Sequence, residues 1–161
     1  MSPQHLTPQQ ALQKIKHFCA YQERCHSEVK EKLYGYGLHK AEVEDIISKL
    51  IEEDYLNEER FAVQFAGGHF RLKKWGRVKI RHELKQRQVS EYCIRKGLRE
   101  IPGEDYEHTL RRLAEEKLAG LRREKNHLVK KRKLHDYLLR KGYEAELIRE
   151  VVQRLQNEAD A

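Results

Sequence analysis

The chain has 161 residues, 39% hydrophobic against 37% charged, with four Phe, one Trp and a net charge of +7. That length allows one or two ordinary domains, but the composition excludes a single large core and suits a thin core shared among small helical units. The sequence holds no apolar run long enough for a membrane span and opens without the basic-then-apolar pattern of a signal peptide, so a cytoplasmic protein with no membrane partner is expected.

Proline occurs only at 3, 8 and 102, β-branched runs are nearly absent, and helical periodicity dominates, which predicts an all-α chain. Thr7-Pro8-Gln9-Gln10 predicts the start of the first helix: Thr7 caps, Pro8 suits the first turn and Gln10 closes a capping box. Leu12, Ile15, Phe18 and Cys19 then share its apolar face. Ser27 is the expected cap of a second helix carrying Val29 and Leu33, ended by Gly35 and Gly37. A third helix begins near Lys40 and buries Val43, Ile46, Ile47 and Leu50. Asn57 caps the next, with Phe61, Ala62, Phe65 and Ala66 inside. Gly67-Gly68 falls within that helix, at about 1 kcal/mol per Gly relative to Ala, and reads either as a close helix approach or as a kink.

The stretch from Phe70 to Leu84 marks the middle of the chain. Leu72, Trp75, Val78 or Lys79, Ile80 and Leu84 recur at helical spacing around Gly76, which predicts a helix end, a tight turn and a new helix. Ser90 caps a helix with Tyr92, Ile94 and Leu98. Pro102-Gly103 is the clearest boundary. Beyond it come a long helix through Leu110, Leu113, Leu118 and Leu121, a basic helix around Val129, Leu134, Leu138 and Leu139, and a last one through Leu147, Ile148, Val151, Val152 and Leu155. The polar tail after Gln156 is expected to fray. The tyrosines, Tyr106 and Tyr143 among them, are expected at core edges.

An internal repeat runs through this order. Val29, Leu33, Leu38, Val43, Ile47 and Leu50 align with Ile80, Leu84, Val89, Ile94, Leu98 and Ile101, and again with Leu134, Leu138, Tyr143, Ile148, Val152 and Leu155. Gly37 falls on Gln88 and Gly142. The expected architecture is three tandem three-helix repeats, at 8–56, 57–102 and 103–157, with flexible ends at 1–7 and 158–161. Such repeats would stack as an elongated, curved, right-handed-type helical array with long faces.

The charge is segregated. Residues 69–99 hold eleven Lys/Arg against two acids and residues 122–141 nine against two, while 40–60 carries eight acids against three basic residues. A solvated helical surface would mix the signs, so the segregation favours a partner with a strong field. The candidate binding strip is Arg71, Lys73, Lys74, Arg77, Lys79 and Arg81, with Lys130, Lys131, Arg132 and Lys133 as a second patch. Trp75 either stacks on a base or packs a joint between units, and its spacing favours packing. Lys130–Lys133 could pass for a nuclear signal, but its place in an apolar-periodic helix makes an outward basic face the better reading.

Little points to catalysis. The nine His are scattered, without metalloprotease or nuclease spacing, and no phosphate-binding loop is present. Cys19, Cys25 and Cys93 have no framework or zinc spacing, so reduced thiols and no metal site are expected. The chain reads as a non-enzyme without cofactor or metal.

Four segments in order resemble the RecX family, bacterial regulators of the RecA recombinase. R-C-H-S-E-V-K-E-K-L at 24–33 is similar to the first-repeat signature, and D-Y-L-N-E-E-R-F-A at 54–62 is the closest match. K-K-W-G-R-V-K-I-R-H-E-L at 73–84 resembles the family's basic element and K-R-K-L-H-D-Y-L-L-R-K-G-Y at 131–143 its C-terminal signature. One departure is Arg87-Gln88, where the family usually has Gly before a repeat's last helix, and it bears on the turn geometry there. The resemblance implies three tandem three-helix repeats and a non-enzymatic modulator that lodges in the groove of RecA filaments on single-stranded DNA. It would limit filament extension, ATP hydrolysis, strand exchange and SOS co-protease activity, acting as a monomer. The rival expectation is a stand-alone helical protein that competes for single-stranded DNA. A nuclease and an unrelated helical adaptor are the remaining classes. Reversing the charges of Lys73, Lys74 and Arg77 is expected to weaken filament binding.

Overall fold

The computed structural model describes residues 5–161. The described residues form nine helices and no strand: α1 Pro8–Tyr21, α2 His26–Gly35, α3 Lys40–Glu52, α4 Glu58–Lys73, α5 Arg77–Gln86, α6 Glu91–Arg99, α7 Gly103–Gly120, α8 His127–Lys141 and α9 Ala145–Asp160. They divide into two compact units, one made of the chain up to Gln64 with Leu84–Gly97, the other of Phe65–Glu83 with Leu98–Ala161. No described helix is long and apolar enough to cross a membrane.

In the first unit α1, α2 and α3 pack on one another. Their core joins Ala11, Ile15 and Cys19 to Val29, Leu33, Val43, Ile46, Ile47 and Leu50. Local chemistry sets the helix starts. Thr7 accepts from Gln10 N at 3.2 Å while Gln10 Oε1 accepts from Thr7 N at 3.0 Å, the expected capping box. Asn57 Oδ1 accepts from Arg60 N at 2.9 Å, and Ser90 Oγ from Cys93 N at 3.3 Å.

Ser27 departs from its expected role. The helix begins at His26 with Cys25 at the cap position, two residues before the expected cap, and Ser27 Oγ donates instead to the Arg87 carbonyl at 2.8 Å. Glu58 also reaches across this unit, to His26 Nδ1 at 3.4 Å and Ser90 N at 3.1 Å. Of the start expected to be flexible, residues 1–4 lie outside the described residues, and Leu6 N donates to the Tyr36 carbonyl at 2.9 Å.

In the second unit α7, α8 and α9 pack on one another around Tyr106, Leu110, Leu134, Leu138, Ile148 and Val152. Tyr106 and Tyr143 are not at the core edge, being 0% and 1% exposed. In the polar tail α9 continues to Asp160, Gln153 Nε2 donates to Asn157 Oδ1 at 2.9 Å and Arg111 pairs with Glu158 at 2.6 Å.

All eighteen aligned repeat positions are buried, from Val29 to Leu155. The aligned turn residue is left-handed each time, at φ +87° in Gly37, +60° in Gln88 and +96° in Gly142. The sequence departure at Gln88 therefore changes the residue and keeps the turn, at the cost of a side chain in a conformation that L-residues avoid.

Gly67-Gly68 does not mark a close helix approach, and α4 runs through it from Glu58 to Lys73. A Cβ on Gly68 would meet nothing within 4 Å, and one on Gly67 only the end of the Arg71 side chain.

Candidate nucleic-acid or partner interface

All ten candidate cationic residues fall in the second unit. The structure joins the first stretch to α8 through backbone contacts at Gly76. Gly76 N donates to the Lys141 carbonyl at 2.8 Å and Val78 N to the Gly142 carbonyl at 2.9 Å. The approach is close enough that a Cβ on Gly76 would lie 2.3 Å from the Gly142 oxygen. The start of α5 is thus pinned to the end of α8, and Lys130–Lys133 lie about 12–16 Å further up that helix at 1.5 Å per residue.

The end of α4 would leave carbonyls unpaired. Side chains supply the donors: Lys74 Nζ to Arg71 O at 2.7 Å, Lys141 Nζ to Lys73 O at 3.1 Å and Tyr143 OH to Lys74 O at 2.9 Å. Lys74 itself takes φ +60° to turn the chain there. Burial holds the Tyr143 hydroxyl protonated, with its pKa well above the ordinary tyrosine value.

The cations do not all do the same work. Arg77 is half-buried, its Nη1 donates to Glu144 Oε2 at 2.9 Å, and its guanidinium lies 3.8 Å from the centre of the Tyr106 ring. Its backbone N donates to Tyr106 Oη at 2.9 Å, and the Tyr106 hydroxyl in turn donates to Glu144 Oε1. Burial, then the bond to Glu144, raises the pKa of Tyr106 far above its usual range. This closed set ties α5, α7 and the α8–α9 turn together, so Arg77 is built into the fold and a charge reversal there would place a carboxylate against Glu144. The expected triple reversal at Lys73, Lys74 and Arg77 would therefore mix loss of folding with loss of binding.

Lys73 and Lys79 differ. Their Nζ atoms stand over the Trp75 ring, 5.1 and 4.7 Å from its centre, and neither has a carboxylate partner among the described residues. Trp75 is half-buried and stacks on the His69 imidazole, with ring centres 4.6 Å apart. Arg71 is exposed, whereas Arg81 is half-buried. In the second patch Lys133 pairs with Glu124 at 3.2 Å. Asn126 N and Lys133 together hold the Glu124 carboxyl below the usual glutamate pKa. Lys131 and Arg132 are exposed and Lys130 is half-buried. Lys130 and Lys131 border an apolar notch of about 200 Å³ lined by Leu118, Leu134, Val152 and Leu155.

Two expected apolar positions of the Phe70–Leu84 stretch turn outward. Leu72 is 86% and Val78 52% exposed. The buried side of α4 is set by Phe61, Ala62, Phe65, Ala66 and Phe70, and Leu72 lies about 200° around the helix from Phe70. Reading the sequence missed His69, Tyr106, Lys141 and Glu144. Tyr143, although expected at a core edge, aligns with the apolar positions Leu38 and Val89 of the repeat, and that alignment is the one signal of its burial.

The model for the second three-helix domain of RecX matches residues 57–98, and that for the third three-helix domain matches residues 104–152. Regulatory protein RecX of Bacillus cytotoxicus is 31% identical over 143 residues, which cover 89% of this chain and 53% of the relative. The protein of the same name from Bacillus cereus is 28% identical over the same span. The chain thus spans about half the length of the curated relatives it matches. The crystal structure of RecX from Lactobacillus salivarius aligns with a TM-score of 0.84 at 23% identity, over 92% of this chain and 96% of that one. A second crystal structure of a regulatory protein RecX aligns at 0.81 and 20% identity, over 89% of this chain and 70% of the other, and at such identities these likenesses speak for the fold. On the domain matches and the relatives together, the chain belongs to the RecX family.

Proposed function

We propose that this protein regulates the RecA recombinase, mainly as an inhibitor. It lies in the groove of the RecA filament on single-stranded DNA and limits filament extension, ATP hydrolysis, strand exchange and SOS co-protease activity. It acts in the cytoplasm as a monomer and without chemistry of its own. The observation that carries this reading is family membership across residues 57–152. The cations add support, because Lys73, Lys79, Lys130 and Lys131 lie on one compact unit with no carboxylate partner among the described residues. A surface of that kind suits acidic protein or phosphate, and several such contacts formed together make binding steeply dependent on salt.

The test is RecA ATP hydrolysis on single-stranded DNA with this protein titrated in. Hydrolysis should fall, and changing Lys73, Lys79, Lys130 and Lys131 to Glu should restore it, with Arg77 left intact to preserve the fold. Undiminished hydrolysis at protein in excess of RecA would sink the proposal. A second reading, a stand-alone single-stranded nucleic-acid-binding protein that competes for DNA, is favoured by the two ammonium groups against Trp75. Affinity for one oligonucleotide, measured with and without RecA, separates the two. Equal affinity favours the second.

A further inference from the structure

The filament reading uses the lysines around Trp75 and leaves the ring itself without a task. Trp75 is the chain's only tryptophan and is half-buried. A firm stack supports it from within. Buried Phe65 lies 4.0 Å from His69 between ring centres, and His69 lies 4.6 Å from Trp75 at an interplanar angle of 27°. His69 Nδ1, 2.8 Å from the Phe65 carbonyl oxygen, fixes the imidazole in place.

Packing accounts for the His69 contact. It does not account for Lys73 and Lys79, whose Nζ atoms stand over the same ring at 5.1 and 4.7 Å. Apolar side chains would cover an indole retained for stability alone. Here its cover is two flexible ammonium groups, in a stretch with no acid between Phe70 and His82. Lys73 is exposed and Lys79 half-buried, and a cation–π contact short of full desolvation is weak enough for each ammonium to swing away to a better anion.

We propose that Trp75 is the stacking platform for one unpaired nucleobase, with Lys73 and Lys79 moving from the ring to the flanking phosphates. An acidic protein surface would satisfy the lysines but has no use for the ring, whereas a single strand uses both. A duplex keeps its bases stacked and offers none to the indole, so single strands bind in preference. The inference deepens the proposed function by assigning the point of strand contact, and it rests on that function only for where the strand comes from.

The sole tryptophan reports the event directly. Titrating oligothymidylate should quench Trp75 emission, while inorganic polyphosphate should compete for the lysines without matching that quench. Trp75→Leu should weaken oligonucleotide binding about tenfold, in line with the loss of one base stack, and Trp75→Phe should recover most of it. Changing both Lys73 and Lys79 to Ala should flatten the logarithmic salt dependence by about 1.4, at 0.7 per phosphate contact on a single strand. Circular dichroism establishes that each variant is folded. Equal quenching by polyphosphate, or a folded Trp75→Leu variant with unchanged oligonucleotide affinity, overturns the inference. If that variant keeps its oligonucleotide affinity and loses inhibition of RecA, the ring contacts protein: the inference fails and the filament reading survives. If quenching and the Trp75→Leu defect are found while RecA hydrolysis is unaffected, the base platform stands and the filament reading fails.

Discussion

Replacing Gly76 by Ala adds one methyl group where two backbones cross. The new Cβ would lie 2.3 Å from the Gly142 oxygen, 2.4 Å from its carbonyl carbon and 2.6 Å from Tyr143 N. None of these is the end of a flexible side chain, so the start of α5 must move away from the end of α8. The move strains or breaks the bonds from Gly76 N to Lys141 O and from Val78 N to Gly142 O, at 2.8 and 2.9 Å. Two backbone bonds at a net ~1 kcal/mol each, with ~1–3 kcal/mol for overpacking, give an expected loss of about 3–5 kcal/mol. Gly68→Ala is the matched control, since its Cβ meets nothing within 4 Å in the interior of α4. It should stabilise by about 1 kcal/mol through helix propensity alone. Urea unfolding followed by Trp75 emission reads both variants, because Gly68, Trp75, Gly76 and Gly142 belong to one compact unit. Should Gly76→Ala fall within about 0.5 kcal/mol of the parent, a range usual for surface substitutions, the backbone crossing described here is wrong.

Gln88→Gly should stabilise by about 0.5–1 kcal/mol: it removes the left-handed strain at φ +60° and returns part of the gain as freedom of the unfolded chain. A lower urea midpoint would contradict that. Tyr106→Phe should cost about 2 kcal/mol, because Arg77 N loses its acceptor and Glu144 a donor in a largely buried setting. Lys73→Ala should leave stability within about 0.5 kcal/mol, and an equal loss in both variants would mean that Lys73 is as structural as Tyr106. Burial pushes the Cys19 thiol up to about 11, so at pH 8 roughly one thiol in a thousand is ionised. Reaction of the native protein with a thiol-specific disulfide reagent should therefore be slow at pH 8 and become fast in denaturant. Immediate labelling of Cys19 in the native state would count against its burial.

The sequence legibly carried what repeats along the chain and obscured what forms across it. Val29, Ile80 and Leu134 stand in corresponding places because each repeat must bury the same face, and spacing alone reveals such positions. The turn at Gln88 was legible for the same reason, since its neighbours Leu84 and Val89 fix where the chain must bend. Ser27 misled because the local rule for a helix cap was outcompeted by a carbonyl sixty residues away, at Arg87. Arg77 misled in a more consequential way. In sequence it is one cation among six in the stretch from Arg71 to Arg81, indistinguishable from Lys73 or Lys79. Only the fold brings Glu144 and Tyr106 to it, and both lie far along the chain. A guanidinium can hold a carboxylate with one edge and lie flat on an aromatic ring with its plane, which an ammonium cannot do with the same geometry. The arginine is therefore the cation tied into internal structure, and under the proposed function the lysines beside it are the ones that meet an anion from outside. Charge counted along the sequence overstates the interface by the cations that the fold has already neutralised. Here that correction takes Arg77 out of the candidate strip and leaves Lys73 and Lys79 beside Trp75.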